Sequence, residues 1–244
     1  PQAGVMRAGG KPMLDLLDAA IAAGAELVGG IDPCEVDRDP AGQLNGIFAI
    51  AEKRGVGVDI HLHEPGELGL FSLQEICARV AAHGMAGRAT ISHGFCLGTI
   101  SESKQKAAAE MMAAAGVALV THGAGNATMP PLMLLRRAGV RVFCGNDDVR
   151  DTWSPYGNAD MLERASVIGW REDLRHDPLI LELFAMASSE GAAALGIAGH
   201  GIAPGNPAHF FTLNAENIPD AIGAHPPRRR VFYAGRLVAE NGEW

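Results

Sequence analysis

Histidines and carboxylates recur in this chain just after short apolar runs: His61-Leu62-His63-Glu64, His93, His122 and Asn146-Asp147-Asp148. Neutral imidazoles, an anionic oxygen and an open position for water are what a divalent metal site needs. A metal so held lowers the pKa of a bound water to about 7 and makes a nucleophile available at neutral pH. On this reading His61, His93 and Asp147 are candidate ligands. Glu64, three residues past His61 where a strand gives way to a loop, is placed to shuttle a proton. One histidine at a strand end is ordinarily a hydrogen-bonded loop residue; two with an aspartate at the ends of three strands is a pattern.

The runs that must position them are Leu27 to Ile31, Val58 to Ile60, Ala89 to Ser92, Val117 to Thr121 and Val140 to Cys144, whose first residues are 31, 31, 28 and 23 apart. Between them lie stretches with helical apolar spacing, such as Leu44, Ile47, Phe48 and Ala51, then Leu73, Ile76, Cys77 and Val80. Ser72 with Glu75 reads as a capping box opening the second of these. This alternation predicts consecutive parallel βα units, whose C-terminal strand edge is where catalytic side chains collect. Past Asp148 the pattern changes: residues 158–198 read as helical, with Met161, Leu162, Ala165 and Ile168 on one face. A Gly/Pro-rich stretch, Gly199 to Pro207, leads into short strands around Phe210–Leu213, Arg230–Tyr233 and Arg236–Val238, an antiparallel appendage.

The series Val58-Asp59-Ile60-His61-Leu62-His63-Glu64, Ile91-Ser92-His93 and Cys144-Gly145-Asn146-Asp147-Asp148, continuing to Trp153, resembles the metal-dependent amidohydrolase superfamily, in particular its cytosine-deaminase-like branch. The resemblance implies part of a (β/α)8 TIM-type barrel over residues 1–198, with strands four to eight visible, and a small C-terminal β-sandwich over 199–244. It makes His61 and His93 the fifth- and sixth-strand histidines, Asp147 the eighth-strand aspartate and Glu64 the general acid/base of a V-x-H-x-x-E pattern. Asp148 matches a second aspartate that assists proton movement, Trp153 an aromatic of the pocket, and Pro1-Gln2 the third-strand end whose Gln contacts substrate. Gly201-Ile202-Ala203-Pro204-Gly205-Asn206-Pro207-Ala208 is similar to the family's link into the sandwich. The strand-one H-x-H pair has no counterpart, so the chain is expected to be the C-terminal portion of a longer protein. Asn146 stands where the branch usually has His, His63 where it often has Asp, and His209 where the link usually has Asp. The implied activity is hydrolytic deamination of a cyclic amidine such as cytosine, with one divalent ion, Zn or Fe. The rivals are hydrolysis of a cyclic ureide or N-alkyl triazine amide, and an inactive barrel subunit.

Bulk properties agree with a globular enzyme: 48% of the 244 residues are hydrophobic and 20% charged, with 31 Gly and 14 Pro. A net charge of -8 argues against nucleic acid as partner. The longest apolar run, Met111 to Val120, is half a bilayer span. Cys34, Cys77, Cys96 and Cys144 form no C-x-x-C pair, which removes the zinc cytidine-deaminase pattern and predicts reduced thiols in a cytoplasmic protein. The expected partner is a small heterocyclic substrate; homo-oligomerisation stays open. His122 is expected in a structural or pocket-wall role. Met111, Met112, Met129 and Met133 are expected as core filling, and Arg228 to Arg230 as a solvated or subunit-contact surface.

Overall fold

The structure, a computed structural model, describes residues 2–243. In chain order come α1 (Lys11–Ala22), β1 (Leu27–Ile31), α2 (Pro40–Arg54), β2 (Gly57–Leu62), α3 (Gly66–Ala82), β3 (Ala89–His93), α4 (Cys96–Thr99), α5 (Glu102–Ala115), β4 (Val117–Thr121), α6 (Leu132–Arg137) and β5 (Val142–Cys144). There follow α7 (Met161–Arg171), α8 (Asp177–Met186), α9 (Ser189–Ala194), β6 (Phe210–Leu213), α10 (Ile218–Ala224), β7 (Arg228–Tyr233) and β8 (Arg236–Glu240). The first five strands form one sheet in the order β1-β2-β3-β4-β5, and the last three a separate sheet, β6-β7-β8. Two compact units result: the chain up to Val120 with Asn126–Val142, and Thr121–Gly125 with Phe143 onward. Among the described residues no helix is long and apolar enough to cross a membrane.

In the first unit β1, β2, β3 and β4 pair parallel and in register, with Ile31 opposite His61 and Leu62 opposite His93. That register brings the strand ends, and the polar residues that follow them, to one edge. Along β2 the apolar Val58, Ile60 and Leu62 are buried while Asp59 and His61 alternate onto the other face. Glycine is required in β1: a Cβ at Gly29 would lie 1.9 Å from the Asp59 carbonyl oxygen. Leu44, Ile47, Phe48 and Ala51 of α2 are wholly buried. That helix starts on Asp39, whose side chain accepts from Gly42 N, with Pro40 in its first turn, and stops at Gly55 in the left-handed region.

The capping-box expectation for Ser72 is corrected. α3 begins at Gly66, six residues earlier, so Ser72 sits inside the helix on its buried face. A Ser-x-x-Glu spacing also fits a helix interior, and here Glu75 pairs with Arg79 at 2.8 Å while the Ser72 hydroxyl serves Glu64. Of the methionine cluster only Met112 is fully buried; the other three are half-buried.

In the second unit Asp160 caps α7, accepting from Leu162 N at 2.8 Å, and Arg228 grips the same carboxylate. Arg230 pairs with Glu240 at 2.7 Å. The arginine run is therefore tied within its own unit at two of its three positions. β6, β7 and β8 pair antiparallel, with Phe210 and Phe232 stacked at 4.7 Å between centroids.

Candidate active site

At the end of β2 and β3 the first unit gathers three imidazoles. His93 Nε2 lies 3.2 Å from His61 Nδ1, and the ring of His63 is 4.4 Å from that of His93. One ligand nitrogen from each of the three lies within 4.8 Å of the others. Two nitrogens bound tetrahedrally to one zinc at about 2.0–2.1 Å stand about 3.3 Å apart. The separation of 3.2 Å between His61 and His93 thus fits a shared divalent ion. His93 is 4% exposed, and its backbone is held at φ 74°, a left-handed conformation unusual outside glycine.

Asp32, just past β1, shares that backbone feature at φ 38° and is buried. Its Oδ1 accepts from His63 N at 2.6 Å and Glu64 N at 3.3 Å, and its Oδ2 lies 2.8 Å from His63 Nδ1. Glu64 is wholly buried: Oε1 accepts from Cys34 N at 2.7 Å and Glu35 N at 2.8 Å, and Oε2 accepts from the Ser72 hydroxyl. Three donors to Glu64 and one acceptor, Asp32, all outside its own strand, therefore fix the segment that carries the histidines. Below His61, burial raises the Asp59 carboxyl above its ordinary range, against a 2.6 Å hydrogen bond from Ser92 and the attraction of His61. The thiols are poor nucleophile candidates, since burial pushes Cys77 and Cys96 up to about 12.

In the second unit Asp147 is held at φ 63° after β5 and its Oδ2 lies 3.8 Å from His122 Nε2. Ala124 N donates to His122 Nδ1 at 3.2 Å, which leaves Nε2 as the protonated nitrogen of the neutral ring. Asp148 is half-buried beside it and Trp153 is exposed on the following loop. In the first unit Gln2 is exposed in a turn, and Pro1 lies outside the described residues. The structure therefore brings His61 together with His93, and Asp147 together with His122. Sequence reasoning gave no site role to Asp32 or Phe95, read Ser72 only as a helix cap, and did not foresee the His122–Asp147 pair. The Asp32 contacts left no local signal because its partners, His63 and Glu64, lie some thirty residues away.

Imidazoles and carboxylates gathered at the C-terminal ends of parallel strands define an α/β protein of the hydrolase type, built around a candidate metal centre. Comparison with known proteins agrees. The model of an amidohydrolase family matches residues 6–239, and the chain belongs to that family. The crystal structure of N-isopropylammelide isopropylaminohydrolase from Burkholderia multivorans ATCC 17616 superposes with a TM-score of 0.96 at 43% identity, covering 99% of this chain and 62% of that one. N-isopropylammelide isopropyl amidohydrolase of Pseudomonas sp. (strain ADP) is 30% identical over 227 residues, 93% of this chain and 56% of that protein. For 5-methylcytosine deaminase from Klebsiella pneumoniae, liganded with 5-fluorocytosine, the likeness is one of fold, with a TM-score of 0.86 at 21% identity over 98% of this chain and 61% of that one. The chain spans a little over half the length of the curated relatives it matches.

Proposed function

We propose that the protein is a metal-dependent hydrolase that cleaves the exocyclic C–N bond of an amino- or N-alkylamino-substituted, oxo-bearing nitrogen heterocycle. The observation that carries this reading is the edge of β2 and β3, where His61 and His93 meet at 3.2 Å next to a wholly buried Glu64. Both the cytosine-type and the N-alkyl triazine readings break the same kind of bond. The alkylamino one is favoured by 43% identity to a relative named for an N-isopropyl substrate.

His61, His93 and Asp147 would hold the metal, and when bound it supplies Lewis acidity and an activated water at neutral pH. Asp147 takes a proton from the attacking water as its oxygen bonds to the ring carbon. Glu64 protonates the adjacent ring nitrogen, and His93 steadies the charge that develops. The proton taken by Asp147 passes through Asp148 or Glu64 to the amine, which leaves as the C–N bond breaks, and the proton of the new hydroxyl returns to Glu64. Gln2 and Trp153 contact the substrate. The same proposal takes the five parallel strands as strands four to eight of a (β/α)8 barrel spanning residues 1–198, and residues 199–244 as part of a β-sandwich. It places the protein in the cytoplasm, acting on a small molecule rather than nucleic acid or membrane.

Metal analysis of the purified protein, with a turnover panel of cytosine, N-isopropylammelide and a cyclic ureide, tests this. Stoichiometric metal with release of ammonia or alkylamine is expected. Opening of the ureide alone would overturn the exocyclic reading, and absence of both metal and turnover would favour an inactive barrel subunit.

A further inference from the structure

The two oxygens of the Glu64 carboxylate are not equivalent. A carboxylate oxygen offers two lone pairs. Oε1 takes the N–H groups of Cys34 at 2.7 Å and Glu35 at 2.8 Å and is full, while Oε2 takes only the Ser72 hydroxyl and keeps a lone pair. A proton carried by Glu64 therefore rides on Oε2, beside Ser72. The serine comes within reach because α3 packs directly on the turn after β2: a Cβ at Gly69, one helical turn before Ser72, would lie 2.0 Å from the Glu64 carbonyl oxygen. A serine inside a helix ordinarily faces water or returns its proton to the carbonyl four residues back. Ser72 does neither: it is wholly buried, and its one proton goes to Glu64. Its oxygen lies 3.3 Å from Cys34 Sγ, and since the hydroxyl proton is already committed, the thiol is the donor in that contact. Burial raises the Cys34 thiol above its ordinary range, against the Ser72 hydrogen bond and with the charges of Glu64 and Glu75, so the sulfur keeps its proton at neutral pH. The order from Cys34 S–H through Ser72 O–H to Glu64 Oε2 is thus set from its far end, and reversing it would ask sulfur, a weak acceptor, to take the hydroxyl proton.

We propose that Cys34 and Ser72 are positioning residues for the proton shuttle: with the thiol donating to it, Ser72 stays a donor to Glu64, so a proton on Oε2 is given to the substrate ring and not to Ser72. This rests on the functional reading above and names the atom, Oε2, through which Glu64 acts.

The test reads the Cys34 S–H stretch by infrared difference spectroscopy of the purified metal-containing protein at neutral pH, each form set against its own Cys34→Ala counterpart so that the other three thiols cancel. In wild type the band is expected at the lowered frequency of a donating thiol. Ser72→Ala should move it toward the frequency of an unbonded thiol, and so should Glu64→Gln, whose NH2 donates to the Ser72 oxygen and turns the hydroxyl toward sulfur. In turnover of N-isopropylammelide, Ser72→Ala should lower kcat about tenfold and Cys34→Ala about threefold, with KM nearly constant, and Cys34→Ser, which keeps an O–H donor, should restore most of the loss. A band absent from wild type, or unmoved in Ser72→Ala or in Glu64→Gln, would overturn the order of donors; an unchanged kcat in Ser72→Ala would overturn the positioning role. Should Ser72→Ala fail to fold, Glu64→Gln and the Cys34 variants decide by the same two measurements. Because the band is read without turnover, a protein whose band moves as expected yet hydrolyses nothing refutes the functional reading and leaves the ordered chain standing.

Discussion

Replacing Glu64 by Gln and by Ala separates its chemistry from its structural role. In the native protein Oε1 takes the N–H groups of Cys34 and Glu35 at 2.7 and 2.8 Å, and Oε2 takes the Ser72 hydroxyl. A Gln amide can reproduce this set, with its oxygen toward the two N–H groups and its NH2 toward the Ser72 oxygen. Only the charge assistance is lost, about 1 kcal/mol. Ala leaves two part-buried N–H groups and a buried hydroxyl without their acceptor; at about 1–3 kcal/mol for each buried orphan, with the N–H pair discounted for partial solvation, the expected loss is about 2–4 kcal/mol. Urea unfolding of chelator-treated protein, followed by circular dichroism, measures both without metal linkage. Activity should behave differently, falling by about 10² to 10⁴ in Glu64→Gln while metal content holds. Near-normal turnover by Glu64→Gln would remove Glu64 from the mechanism. Equal stability of the Gln and Ala variants would refute the hydrogen-bond argument.

His61→Ala and Asp147→Ala should each lose stoichiometric metal, read by elemental analysis, while Ser72→Ala keeps it; full metal in the His61 variant would end its assignment as a ligand. Asp147→Gly should be more stable than Asp147→Ala by about 1 kcal/mol, because only glycine relieves the φ of 63°; equal denaturation midpoints would show that the position is unstrained. At Asp37 burial alone would raise the carboxyl, but hydrogen bonds from Met6 N at 3.0 Å, Gln43 at 2.7 Å, Val5 N at 2.9 Å and Arg7 N at 3.2 Å outweigh it and hold the group below its usual range. A depressed carboxyl contributes stability that is present above about pH 4 and lost as pH falls below it, so Asp37→Ala should be less stable at pH 7 and flatter in a pH series from 5 to 3; a parallel acid slope in both proteins would refute this.

The strands were legible because each is an apolar run bounded by turn residues. β1, β4 and β6 span the same residues as their runs, and β2, β3, β5, β7 and β8 differ by one or two residues at an end, β2 at both. His61, His93 and Glu64 were legible from residue type at strand ends. What escaped is non-local. The Asp32–His63 contact joins residues 31 apart and exists because the parallel register sets Ile31 opposite His61, which no periodicity in either strand encodes. Ser72 was misread because a hydroxyl that caps a helix and one that faces a buried carboxylate have the same local spacing, and only the packing of α3 on β2 tells them apart.

These contacts bear on how the site is held. The turn after β2 carries His63 and Glu64 side by side, yet none of the groups that fix their side chains comes from β2: Asp32, Cys34 and Glu35 follow β1, and Ser72 lies on α3. Asp32 also accepts the main-chain N–H of both residues. An imidazole and a carboxylate on consecutive residues would ordinarily leave opposite faces of an extended chain. Anchoring both backbones to one aspartate carries that alternation past the end of β2, so His63 stays with His61 and His93 while Glu64 turns to the Cys34 and Glu35 amides and the Ser72 hydroxyl. A lesion at Asp32 is therefore expected to disturb the His63 ring and the Glu64 carboxyl together, whereas one at Ser72 reaches Glu64 alone. The strain at Asp32 is consistent with that double duty, since one residue in an unfavourable conformation sets the direction of two side chains.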